Sequence, residues 1–208
     1  MYLLLAPEEA LIVDPNVDED AVTLLRERQI GKLKIVLTHS HYDHILGVQF
    51  FQERFDCTVI GTELCLECLP DPKRNLSRFA GLVFNGHGLK REEMPAIPRI
   101  SCHGDLGFEG TYTFPFGGMT VALQAFPGHS PDSLMMRVGD GLLFTGDNLI
   151  PDTRTALTLP GSDPEAYELK VKPFLRGLPG GVTVFPGHGS AGRLDRILRC
   201  HPDYAAKE

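Results

Sequence analysis

Between His39 and His44 the chain sets three histidines and one aspartate into six positions, reading Thr38-His39-Ser40-His41-Tyr42-Asp43-His44. Neutral imidazole nitrogens and carboxylate oxygens are the donors that a borderline divalent cation takes. In an extended segment, side chains two apart share a face, so His39 and His41 can reach one ion together. Asp43 and His44 are adjacent and would diverge on a strand. A bend into a following helix turns both toward a second ion. A chain carrying this motif must therefore fold so that a strand end, a bend and a helix start come together.

Three more candidates follow, His129, Asp147 and His188, each at the end of a β-rich apolar run. Pro127-Gly128-His129-Ser130 and Pro186-Gly187-His188-Gly189 are near copies, and glycine there permits a tight turn and close backbone approach. A lone histidine is ordinarily a core or surface residue. That reading would have to hold at all of these positions at once, so the metal reading is preferred. His87, His103 and His201 lie in irregular stretches or near the C-terminus and are expected to be structural or solvent-facing.

The rest of the pattern is α/β. Tyr2 to Leu5 and Leu11 to Val13 read as a hairpin around Pro7-Glu8-Glu9. Asp18, Glu19 and Asp20 open a helix whose inner face is Ala21, Leu24, Leu25 and Arg28, stopped at Gly31. Lys34 to Leu37 is a strand that delivers the motif, Ile45 to Arg54 a helix, and Cys57 to Ile60 the next strand. Ligands in such folds gather at the carboxyl ends of strands. Residues 62 to about 100 are broken by prolines. They read either as a solvated connection or as a lid or insertion over the site. Further on, Phe114-Pro115-Phe116-Gly117-Gly118 reads as a turn and Thr120 to Phe126 as a strand. Leu134 to Val138 and Leu142 to Thr145 form a hairpin around Gly139-Asp140-Gly141. A helix from Pro164 to Leu175, a strand from Val182 to Phe185 and a helix from Leu194 to Cys200 complete the chain.

The 208 residues suit one domain, 1–208, with one sizeable core. The net charge of -7 argues against nucleic acid as partner, since that needs a basic surplus. No apolar run approaches the roughly 20 residues of a membrane span, and the N-terminus lacks the pattern of a signal peptide. The expectation is a cytoplasmic protein with a small-molecule substrate and no membrane or nucleic-acid partner; the oligomeric state is left open. Five cysteines in such a chain do not read as a disulfide framework. Cys65-Leu-Glu-Cys68 has C-x-x-C spacing. A redox pair belongs right after a strand at a helix N-terminus, and that context is not evident in the sequence. The pair reads as two plain thiols on a helix.

His39-x-His41-x-Asp43-His44, followed by His129, Asp147 and His188, resembles the metallo-β-lactamase superfamily, and within it the glyoxalase II (hydroxyacylglutathione hydrolase) group. The order and spacing fit from Tyr2 to about Gly189. The resemblance implies an αββα sandwich, two mixed β-sheets flanked by helices. It implies that His39, His41 and His129 hold one metal, that Asp43, His44 and His188 hold the other, and that Asp147 bridges them. The cofactor expected is two divalent ions, zinc first, with iron or manganese also accepted. A metal-bridging hydroxide would attack a thioester, ester or lactone carbonyl, and a metal would take the developing oxyanion. Asp43 is the one catalytic side chain expected, orienting the hydroxide or carrying its proton. Ser40 and Tyr42 are read as packing residues that fix ligand orientation. True zinc β-lactamases often have cysteine where Asp147 stands, and are usually exported; both points argue against antibiotic hydrolysis.

Full-length glyoxalase II enzymes add a C-terminal helical domain that binds glutathione, whereas 20 residues follow His188 here. Arg193, Arg196 and Arg199 lie among them at a spacing that suits a solvated helix face equally well. A glutathione thioester is thus one candidate beside other acyl thioesters, lactones and phosphoesters. The alternatives are a mononuclear iron persulfide dioxygenase on the same fold, a phosphoesterase or nuclease of the superfamily, and a metal-binding or sensing protein without catalysis. The complete set Asp43, His44 and His188 leans against the dioxygenase.

Overall fold

The apolar runs around Pro7-Glu8-Glu9 pair as an antiparallel hairpin, β1 (Tyr2–Leu5) against β2 (Glu9–Val13). The computed structural model describes residues 1–81 and 98–204, in two compact units, Met1–Gly107 and Phe108–Glu208. His87 and the middle of the expected lid at 62–100 lie outside the described residues. In the first unit β2 also pairs in parallel with β3 (Lys32–Val36), and β3 with β4 (Cys57–Thr62). Parallel strands need helical crossovers, and α1 (Glu19–Glu27) supplies the first. Asp18 caps it: its Oδ1 accepts from the Ala21 amide at 2.9 Å. Glu19 and Asp20 suit the positive end of the helix dipole. The buried face is Ala21, Val22 and Leu25. Arg28, expected inside, is exposed, because the helix closes at Glu27 and the chain turns at Gln29, φ 55°.

The single helix expected from Ile45 to Arg54 is two, α2 (Tyr42–Ile45) and α3 (Val48–Gln52). The break is Gly47, whose amide donates to Pro15 O at 2.9 Å. A Cβ at Gly47 would lie 2.5 Å from Asn16 O. The helix must give way where it presses on the turn after β2.

α4 (Glu63–Cys68) directly follows β4, with Thr62 Oγ1 accepting from the Cys65 amide at 3.1 Å. The Cys65/Cys68 pair thus does sit after a strand on the first turns of a helix, a context the sequence did not reveal. Both thiols are buried, as inert structural cysteines are. Burial also pushes the Cys102 thiol up to about 11, and burial with Asp56 and Asp105 pushes Cys57 up to about 12. β5 (Leu106–Phe108), three residues long, is too short to have been legible; it ends the sheet β1-β2-β3-β4-β5. The core of this unit is Ile12, Leu25, Ile35, Phe51, Val59 and their neighbours.

The second unit holds β6 (Thr111–Phe116), β7 (Met119–Ala125), β8 (Leu134–Val138) and β9 (Leu142–Gly146), antiparallel in succession. Phe114-Pro115-Phe116, expected as a turn, is strand. The turn is Gly117-Gly118, at φ 55° and 77°. Pro115 is tolerated because β6 is an edge strand, where no ladder donor is missed. The expected helix at 164–175 runs as α5 (Pro164–Ala166), a π-helical turn (Tyr167–Val171) and α6 (Lys172–Gly177). It is capped by Asp163 accepting from the Ala166 amide at 2.8 Å. β10 (Thr183–Pro186) lies parallel to β9, and β11 (Gly192–Arg193), unforeseen at two residues, antiparallel to β10. α7 (Leu194–Cys200) follows. Phe126, Leu143, Tyr167, Leu175, Val184 and Leu194 centre the core. Two mixed sheets flanked by helices are the fold class that the family resemblance implied. Among the described residues no helix is long and apolar enough to cross a membrane.

Candidate metal centre

Parallel pairing puts the carboxyl ends of β2 and β3 side by side, and the first ligand set grows from there. Asp14 follows β2 at φ 51° and is buried. Its Oδ1 accepts from the Thr38 amide at 2.7 Å and its Oδ2 from the Thr38 hydroxyl at 2.7 Å. The same Oδ2 lies 2.8 Å from His44 Nδ1. With the Thr38 proton given to Asp14, Thr38 Oγ1 accepts from His39 Nδ1 at 3.1 Å. One carboxylate thereby fixes the orientation of two imidazoles, leaving Nε2 of each as the candidate ligand atom.

His39 Nε2 faces His41 Nδ1 at 3.0 Å. Nitrogens bound at about 2.0–2.1 Å to one tetrahedral ion lie about 3.3–3.4 Å apart, so the pair is close to ligating geometry. His39 and His41 lie with their rings side by side, as their spacing predicts. The bend that Asp43 and His44 require is α2, and Asp43 Oδ2 lies 3.8 Å from His44 Nε2. Ser40 and Tyr42, between the ligands, are buried. Burial and the Asp43 charge raise the Tyr42 hydroxyl pKa, which keeps it neutral.

The second set grows from β7, β9 and β10. β9 and β10 are parallel neighbours, and Pro186 pairs with Gly146, so Asp147 and His188 leave the sheet together. Gly146 and Gly189 stand at φ 50° and 82°, a turn geometry that favours glycine. Asp147 Oδ2 lies 3.5 Å from His188 Nε2 and 3.7 Å from His129 Nε2. His129 Nδ1 lies 3.1 Å from Ala156 O and can only donate to it, so Nε2 again is the candidate ligand atom. The Ser162 hydroxyl donates to His129 O at 2.7 Å.

The candidate donors differ in exposure. His39, His41, His44, His129 and Asp147 are buried, whereas the side chains of Asp43 and His188 are 32% and 50% exposed. Buried imidazoles with assigned tautomers, converging on carboxylates, are a donor set that fits divalent cations. Of the other histidines, His103 is exposed and His201 fully buried. Asp14, Thr38 and Asn148 were not singled out from the sequence. Asp14 was legible only as an acidic residue before proline at a strand end.

The probable metallo-hydrolase YqgX of Bacillus subtilis is 29% identical over 191 residues, 90% of this chain and 83% of that protein. The hydroxyacylglutathione hydrolase of Xanthomonas campestris is 27% identical over 179 residues, and the match spans 56% of that enzyme. Among solved structures, the BLEG-1 B3 metallo-beta-lactamase superposes with a TM-score of 0.77 at 27% identity, covering 98% of this chain and 93% of its own. TTHA1623 in a di-iron-bound form gives a TM-score of 0.69 at 29% identity, covering 97% and 93%. The profile of the metallo-beta-lactamase superfamily matches residues 1–188, the span that carries every one of the seven donors, and the chain belongs to that superfamily.

Proposed function

We propose that this chain is a metal-dependent hydrolase of small-molecule thioesters, esters or lactones, and that its two ligand sets serve one dinuclear centre. The observation that carries this reading is Asp147, whose Oδ2 stands between His129 Nε2 at 3.7 Å and His188 Nε2 at 3.5 Å. That is the place of a carboxylate shared between two ions. In the division that the family resemblance implies, His39, His41 and His129 would hold one ion, Asp43, His44 and His188 would hold the other, and Asp147 would serve both. Divalent ions held there, zinc as first expectation, would supply a lowered pKa for a bound water and a counter-charge for the negative charge that develops on a substrate carbonyl.

The protein residues do the rest. Asp14 and Thr38 hold the His39 and His44 rings in one tautomer, and Ala156 O does the same for His129. Asp43, half-buried, orients the attacking water and accepts its proton at a carboxylate oxygen. The similarity to a hydroxyacylglutathione hydrolase and to a probable metallo-hydrolase supports acyl hydrolysis.

The test is metal content of the purified protein, with turnover of S-lactoylglutathione, simple thioesters, lactones and a β-lactam. About two metals per chain with thioester or ester hydrolysis is the expected result. One iron per chain, oxygen uptake with a persulfide and no hydrolysis would sink the proposal in favour of the dioxygenase.

A further inference from the structure

Asn148, the residue after Asp147, is fully buried and uses both halves of its carboxamide on the turn that carries His129. Its Oδ1 accepts from the His129 amide at 3.0 Å, and its Nδ2 donates to Phe126 O at 2.8 Å. One side chain thus clips both ends of Phe126-Pro127-Gly128-His129. The approach is close enough that a Cβ at Gly128 would lie 2.7 Å from Asn148 Oδ1. Asn148 is itself held: its amide donates to Thr145 O at 3.2 Å and its carbonyl accepts from the Thr155 hydroxyl at 3.4 Å. The Thr155 hydroxyl also pairs with the Tyr167 hydroxyl at 2.8 Å, and the Thr155 amide donates to Asp203 at 2.9 Å.

We infer that Asn148 is a positioning residue for the metal centre: it locks the His129 turn to the Asp147 turn and so sets the spacing of two ligands. This rests on reading His129 and Asp147 as ligands. The chemistry at this position is restrictive. Aspartate can accept from His129 N–H but cannot donate to Phe126 O when ionised. Leucine, of similar shape, does neither. Partners that orient metal ligands change metal affinity by roughly 10–100-fold when lost. The His129 ring keeps its own bond to Ala156 O, so the ligand survives and only its placement relaxes.

The experiment compares wild type, Asn148→Leu, Asn148→Asp and Asn75→Leu, each loaded with zinc and challenged with chelators of graded strength. Retained metal and melting temperature are both read. Asn75 is the stability control. It is equally buried and donates to two carbonyls, Leu69 O and Ile100 O, at 3.0 and 2.9 Å, none of them near a candidate ligand in sequence. Expected are a loss of zinc affinity of about 10–100-fold for Asn148→Leu, a smaller loss for Asn148→Asp, and none for Asn75→Leu despite a lower melting temperature. A cobalt-substituted Asn148→Asp protein should also show a shifted visible spectrum. Wild-type retention in the Asn148 variants, or equal metal loss in Asn75→Leu, would overturn the inference. If Asn148→Leu does not fold, Asn148→Asp decides alone. A wild type that takes up no divalent metal would instead overturn the proposed function.

Discussion

Asp14 shows how much a single carboxylate can organise. It takes the Thr38 amide, the Thr38 hydroxyl and His44 Nδ1 at 2.7, 2.7 and 2.8 Å, at a positive φ that aspartate tolerates better than most residues. Asp14→Ala leaves these groups buried without their acceptor, and should cost about 3 kcal/mol or more, read as a fall in denaturant midpoint. Zinc affinity should fall with it, because His39 and His44 lose their common orienter. Asp43 is different: half-exposed on α2, it can be neutralised with little cost to folding. Asp43→Asn should keep the circular dichroism spectrum and lower kcat by roughly 100-fold or more. A variant with undiminished turnover would remove Asp43 from the chemistry. All seven ligand candidates were legible in the sequence because their residue types are rare in such density. Asp14 and Asn148 were not, because nothing local marks an acid or an amide whose partners lie 24 and 19 positions away.

At the scale of elements, the strands were more legible than the helices. A period of two survives in short runs, as in β7, where Val121 and Leu123 are buried. Helix bounds depend on contacts that the local sequence does not contain. Gly47 divides α2 from α3 because the backbone of Asn16 presses against it. Gly47→Ala should therefore lower stability by about 2 kcal/mol, as overpacking against rigid backbone does, although alanine favours helix. A melting temperature at or above wild type would show that the turn at Pro15 and Asn16 yields. Pro115 was misread for a related reason: whether a proline ends a strand depends on whether that strand lies at an edge, and the sheet order decides it.

For the whole molecule, the unequal exposure of the candidate ligands predicts how bound metal would leave. Chelation should proceed in two phases, the first lowering metal content by about half. Ligands as exposed as Asp43 and His188, at 32% and 50%, give up an ion before the buried set does. A single phase would contradict this asymmetry. Metal-free protein should melt lower than loaded protein, since binding to the native state alone is stabilising. The metal-free protein should also lose stability as the solution is acidified. His201 is held below its ordinary value of 6.5, chiefly by burial, with Lys172 also lowering it and Asp203 and Asp152 opposing. The unfolded chain thus takes a proton near pH 6.5 that the folded chain still refuses. The stability is present above that pH and is lost as pH falls toward the folded value. His201→Gln should flatten the melting-temperature profile between pH 7 and 5.5 relative to wild type. By itself the sequence determined the types of the candidate ligands and the α/β order of the strands that carry them, because donor chemistry and short-range periodicity are written locally; the two-sheet fold class followed from the family resemblance. Only the tertiary structure decided which buried groups aim those candidate ligands. The parallel neighbours β9 and β10 bring Asp147 beside His188, Asp14 reaches across from β2, and Asn148 clips the His129 turn. These are choices of register and packing between segments far apart in the chain.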